Sequence, residues 1–262
     1  MLASLSNSFC FGRRPLRIIT PVNIGNGFVW LNADLGSVTN FGSLLTDGAT
    51  VTTWKDVYAG SHDANKAGNA SVKPIWKSNI QNGLGVVRFD GVNDSLNINP
   101  VNSPSPTLQG AAVYTLFVVS KASTLSASKT LTSTDTGGFK IFHDGTQWGV
   151  ATSNGTGIAT GLSGDTTKFH IFTVQYNGSL SGNSNRLKFR YDSIDQTLNF
   201  GATTVGSTTN ATASYLYIGQ DAAGTVDNFF HGDIAEIVLY VRSFTTSEVQ
   251  AEESYLKAHW NI

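Results

Sequence analysis

Apolar and polar positions alternate in short runs along most of this chain, and turn residues interrupt them every 8–12 residues or so. Arg186 to Tyr191 alternates strictly: Leu187, Phe189 and Tyr191 face one way, and Arg186, Lys188 and Arg190 the other. Tyr114 to Ser120 is almost continuously apolar, as a strand covered on both faces would be. Phe139-Lys-Ile-Phe-His143 and Gln147-Trp-Gly-Val150 flank Asp144-Gly145, a hairpin signal. Further strands are predicted at Phe28–Leu31, Val86–Phe89, Ser95–Ile98, Phe169–Tyr176, Tyr215–Ile218 and Ile234–Val241. One helix is predicted, at the C-terminus. Thr245 and Glu248 stand three apart as a capping box, and Val249, Tyr255, Leu256 and Trp260 can face a sheet. The Ser/Thr/Gly/Ala-rich segments 121–136 and 201–213 read as strand-poor loops.

The expected fold is therefore all-β: a two-sheet antiparallel jelly-roll sandwich with one C-terminal helix. Residues 1–26 lack periodicity and read as an N-terminal arm, leaving residues 27–262 for the sandwich. A chain of 262 residues suits one large sandwich.

Composition narrows the function. There are 17 Lys and Arg against 18 Asp and Glu, so the basic excess of a nucleic-acid binder is missing. No apolar stretch is long enough for a membrane span, which excludes insertion by a helix. The single cysteine, Cys10, excludes an internal disulfide. Arg13, Arg14 and Arg17 follow a weakly apolar start, the reverse of a signal peptide, so none is expected.

Catalytic patterns are missing too. The chain holds four Glu: Glu236, Glu248, Glu252 and Glu253. A retaining glycosidase needs two carboxylates flanking one bond, roughly 5 Å apart. Asp233 and Glu236 are three apart, which on a regular strand sends them to opposite faces. The five His show no metal-ligand spacing, and no Gly-x-Ser-x-Gly elbow occurs. The expectation is a protein that is not an enzyme.

Two sets of segments carry a resemblance. One is Trp30-Leu-Asn-Ala-Asp34, Val51-Thr-Thr-Trp-Lys-Asp56 and Gly85-Val-Val-Arg-Phe-Asp-Gly-Val-Asn-Asp94. The other is Leu216-Tyr-Ile-Gly219, Phe230 to Tyr240, and the capped helix ending Leu256-Lys-Ala-His-Trp260. Together they resemble the concanavalin A-like, laminin G-like jelly-roll modules of bacterial surface proteins and phage virion proteins.

That resemblance implies binding rather than chemistry. Such modules hold Ca2+ at the sandwich rim, for which Asp90, Asn93, Asp94, Asp221 and Asp227 are the candidate ligands; the same residues also suit turns. A sugar site needs an exposed aromatic plane beside amides or carboxylates. Trp148 with Gln147 is one candidate, and Trp54 with Asp56 and Tyr58 another, although each Trp equally suits the core. Arg13, Arg14, Arg17, Arg186, Lys188 and Arg190 are candidate partner contacts, the last three also readable as a solvated strand face. The implied function is a virion structural protein, decorating a capsid or belonging to a tail. Made in the host cytoplasm, it would be anchored by its arm to other virion proteins or to copies of itself and open to host glycans. The alternatives are a stand-alone lectin and a divergent glycan hydrolase.

Overall fold

The structure, a computed structural model, describes residues 21, 29–34, 38–40, 43–58, 62–66, 72–98, 108, 110–125, 129–134, 138–209, 215–221 and 228–262. The expected sandwich is present. The smaller sheet has eight strands, in the order Ile194–Asp195, Leu187–Tyr191, His170–Asn177, Val113–Ala122, His231–Tyr240, Leu84–Asp90 and Ile75–Gln81. The eighth, Val29–Asn32, pairs with the second half of His231–Tyr240, whose first half pairs with Leu84–Asp90. The larger sheet has eleven short strands, with Phe139–His143, Lys129–Thr134, Leu216–Ile218 and Leu96–Ile98 near its middle. Every pairing between these strands is antiparallel.

Period-two alternation fills the space between the sheets. Leu116, Val118, Phe172, Val174, Ile237 and Leu239 point inward from the smaller sheet. They join Trp54, Ile98, Ile141, Val150, Leu216 and Ile218 of the larger one in a single core. Burying each such side chain stabilises the fold by about 1.5–3 kcal/mol. The central strand Val113–Ala122 is buried on both faces because Phe117 and Val119 point the other way, into a second cluster under the terminal helix Thr246–Trp260. That helix contributes Val249, Tyr255, Leu256 and Trp260, the residues its pattern predicts. Its capping box is formed: the Glu248 amide donates to Thr245 Oγ1, and the Thr245 amide donates to Glu248 Oε2 at 2.8 Å.

Three details depart from expectation. Segment 121–136 contains a strand, Lys129–Thr134, buried over five consecutive residues. Its hydroxyls are satisfied locally: Thr132 Oγ1 donates to the Tyr217 carbonyl at 2.8 Å, and Ser133 Oγ to that of Gln220 at 3.1 Å. β-branched Thr thus serves a buried strand where composition suggests a loop. Secondly, a single-turn helix, Asn183–Arg186, precedes Leu187–Tyr191. Thirdly, strand His231–Tyr240 is bulged between Ile234 and Glu236 against Val113–Ala122. The bulge puts two consecutive residues, Ala235 and Glu236, on one face, resetting the alternation. Asp233 and Glu236 consequently share the outer face of the smaller sheet. A period-two count cannot see an inserted residue.

Gly232 stands second in this strand because nothing larger fits: an added Cβ would collide with the Lys121 carbonyl oxygen. Of the arm, Pro21 alone is described. It is buried, and its carbonyl accepts the Tyr240 hydroxyl at 3.0 Å. Arg13, Arg14 and Arg17 lie outside the described residues.

Candidate functional site

The outer face of the larger sheet carries a cross-strand row of mostly polar side chains. Thr53 pairs with Asn65, Asn65 with Asn97, Asn97 with Tyr217, and Tyr217 with Ser133. Ser133 pairs in turn with Lys140, Lys140 with Ala151, and Ala151 with Thr156. Directly paired residues project from the same face. The companion row, Trp54, Ala64, Ile98 and Leu216, lies inward at 0 % exposure, so the first row faces outward. At about 4.8 Å per strand, eight positions span about 34 Å.

Most of these side chains stay partly or fully exposed; Ser133 is buried. Thr53 Oγ1 donates to Asn65 Oδ1 at 2.9 Å. The Asn97 carboxamide has no hydrogen-bond partner among the described residues. Tyr215 stands beside Tyr217 with ring centroids 5.7 Å apart. Lys140 lies 5.0 Å over the Phe142 ring, and its Nζ bonds Asp221 Oδ2 at 2.5 Å. Gly149 lies between Phe142 and Ile158, where a Cβ would come within 2.8 Å of Phe142 and 2.7 Å of Ile158. The missing side chain lets those two apolar groups close over the backbone. Amides that both donate and accept, next to partly exposed aromatic rings, suit a polyhydroxylated ligand.

The outer face of the smaller sheet is the opposite case. Glu236 is fully buried beneath the helix. Trp30 Nε1 and Trp260 Nε1 each donate to its carboxyl at 2.6 Å, and the Tyr255 hydroxyl donates at 3.0 Å. Burial pushes its pKa up to about 7, against the pull of those donors. Glu252 is buried as well, with Oε1 lacking a partner among the described residues and Oε2 3.3 Å from the Tyr240 hydroxyl. Burial, followed by the neighbouring Glu236, pushes Glu252 up to about 8, so it is protonated at neutral pH. A protonated Glu252 can donate to the phenol oxygen while the phenol donates to the Pro21 carbonyl. None of these carboxyls is open to a substrate.

The residues singled out in the sequence fall as follows. Trp148 and Trp54 are 1 % and 0 % exposed, so neither offers a ring face to a sugar. Trp148 meets Phe172 edge-on at 4.7 Å. Gln147 accepts the Gly161 amide at 2.8 Å. Asp56 is buried, accepting the Trp30 and Tyr58 amides at 3.0 Å and lying 3.2 Å from His62 Nδ1. It fixes a loop and leaves Tyr58 exposed. Here the large aromatics fill the core together with its Val, Leu and Ile side chains.

Asp90, Asn93 and Asp94 share one turn, with Gly91 at φ 75°. Asp90 Oδ1 accepts the amides of Val92 at 2.8 Å and Asn93 at 3.1 Å, while Asp94 Oδ2 accepts the Asp90 amide at 2.9 Å. Burial pushes Asp94 up to about 6, with the Asp90 charge adding to it. These oxygens are directed at backbone amides, the turn-forming role. Asp221 is instead bonded to Lys140, and Asp227 lies outside the described residues. Among the described residues no group of three His, Cys, Asp or Glu is arranged to hold a metal.

The basic stripe is also redistributed. Arg190 is held by Glu253 of the helix at 2.9 Å and by Asp195 at 2.7 Å. Arg186 donates to the Leu180 and Val205 carbonyls at 2.6 Å. Lys188 alone of the three is exposed. The strand alternates as its sequence predicts, but on its polar side Arg190 meets the helix and Arg186 meets loop carbonyls, which leaves Lys188 to solvent.

The row of Asn97, Tyr217 and Lys140 was not singled out by the sequence. Each sits between inward-facing apolar residues in a short strand, which marks it as outward-facing. Their alignment depends on pairing between strands distant in the chain.

No family model matches the chain, and no curated protein sequence matches it. Solved structures do. A Trypanosoma rangeli sialidase in complex with 2,3-difluorosialic acid superposes with a TM-score of 0.60 at 14% identity, over 89% of this chain and 33% of the sialidase. The chain thus spans about a third of that protein's length. Domain 4 of a GH43 extracellular arabinanase from Geobacillus stearothermophilus, in complex with arabinotriose, gives a TM-score of 0.53 at 12% identity, over 87% of this chain and 98% of the domain. At such identities the likeness establishes the fold, a jelly-roll-like β-sandwich.

Proposed function

We propose that this chain is a non-catalytic carbohydrate-binding module. The observation that carries the proposal is the outward row Thr53, Asn65, Asn97, Tyr217 and Lys140 across the larger sheet. Asn97 brings an amide with no partner among the described residues, and Tyr215 and Tyr217 bring aromatic surface. The sugar ligands of the sialidase and of the arabinanase domain support the same class of ligand. The non-catalytic part is supported by the burial of Glu236, Glu252 and Glu253 and by the bidentate pairing of Asp233 with Arg88 at 2.6 and 2.9 Å. Migration through native gels containing a soluble polysaccharide tests the proposal. Retardation of the protein that is lost in Tyr217→Ala is the expected result; equal retardation of both contradicts it.

A narrower reading makes the module a virion component, with residues 1–26 as its anchor to other virion proteins or to copies of itself. The buried Pro21, bonded to Tyr240, favours an arm whose end is held against the sandwich. Particles that incorporate the protein lacking residues 1–26 would contradict this reading.

A further inference from the structure

We infer that the outer face of the larger sheet takes an extended, uncharged polysaccharide chain lying across the strands, rather than an acidic or terminal sugar. This rests on the carbohydrate-binding reading and specifies its ligand.

Direction comes from register. Thr53, Asn65, Asn97 and Tyr217 follow one another from strand to strand, about 4.8 Å apart, in a line perpendicular to the strands. A ligand using several of these groups at once must run along that line. A single ring placed over Tyr217 reaches its immediate neighbours and leaves the rest of the row unused. Hydroxyls spaced along a chain match the row, since Asn both donates and accepts. The apolar face of a sugar ring matches the Tyr215–Tyr217 pair, whose centroids lie 5.7 Å apart.

Charge gives the ligand class. Lys140 is the one cation in the row, and Asp221 engages it at 2.5 Å while its Nζ rests over Phe142. A carboxylate on an incoming sugar would approach an ammonium already neutralised by Asp221, and would meet repulsion from that side chain as it did so. Acidic sugars are held by uncommitted Arg or Lys, often through two parallel hydrogen bonds. The row contains no Arg. A carboxylated sugar such as sialic acid is therefore a poor match for this face.

The experiment is an array of linear neutral oligosaccharides, from disaccharides to octasaccharides, printed beside sialylated and uronate-containing chains and read at low and high salt. The expected result is neutral-chain binding that strengthens about tenfold or more from disaccharide to hexasaccharide. That binding should be insensitive to salt, since no charge pairing is involved. Asn97→Ala and Tyr217→Ala, both on a solvent-facing row, should abolish the gain with length while the circular dichroism spectrum is retained. Tighter binding of acidic chains, salt-sensitive binding, or equal binding of disaccharides and octasaccharides would overturn the inference and leave the carbohydrate-binding reading standing. Failure of every glycan to bind would remove both.

Discussion

The two sheets have outer faces built by the same pleat and completed differently. On the smaller sheet, Phe117, Val119, Val238 and Tyr240 are sealed under a helix, with Glu236 and Glu252 among them. On the larger sheet, Asn65, Asn97, Tyr217 and Lys140 stay in reach of solvent. Polar groups occur on both faces, but their circumstances differ. Under the helix, Glu236 is bonded to Trp30, Tyr255 and Trp260, and the cluster holds the helix in one position. On the open face the Asn97 amide has no partner among the described residues. A buried network specifies structure, whereas a solvent-facing row of amides and aromatic rings can specify a ligand.

Substitutions should separate the two faces, and the covered one should give the largest effects on stability. Trp260→Ala removes a fully buried indole and one donor to Glu236. It should cost about 3–5 kcal/mol in urea unfolding, with glycan affinity per folded molecule unchanged. A cost below about 1 kcal/mol would mean that the helix does not pack as described.

Acidity should act on the same face. The pKa of Glu252 is raised on folding from an ordinary 4.5 to about 8, so the folded state favours the protonated carboxyl. The associated stability is complete below about pH 4.5 and is lost as the pH rises through 8. Glu236, raised to about 7, adds in the same direction. Unfolding free energy measured from pH 5 to 9 should therefore fall with rising pH, and more shallowly in Glu252→Gln. An unchanged slope in that variant would place the titration elsewhere. Thr245→Ala, which removes the helix cap, should cost about 1 kcal/mol and leave the pH dependence intact.

The larger share of the fold was legible in the sequence, because alternation and capping are local. The strictly alternating Leu187–Tyr191, the Asp144-Gly145 hairpin and the Thr245–Glu248 box all form as their residues dictate. Lys129–Thr134 was hidden because Thr and Ser also signal loops, and burial is not written in composition. The shared face of Asp233 and Glu236 was hidden because one inserted residue, Ala235, reverses the count. The candidate site was the least legible part. Trp54 and Trp148 drew attention as large aromatics and lie in the core. Asn97 and Tyr217 look ordinary in sequence, and 120 residues separate them; only strand register makes them neighbours.

The most direct measurement is a nuclear magnetic resonance titration of the protein with a linear neutral hexasaccharide. The side-chain amide signals of Asn65 and Asn97 should shift, while the indole NH signals of Trp30 and Trp260 stay in place. Shifts at the two indoles with the Asn amides unmoved would put the ligand on the helix side and contradict the assignment of an open binding face.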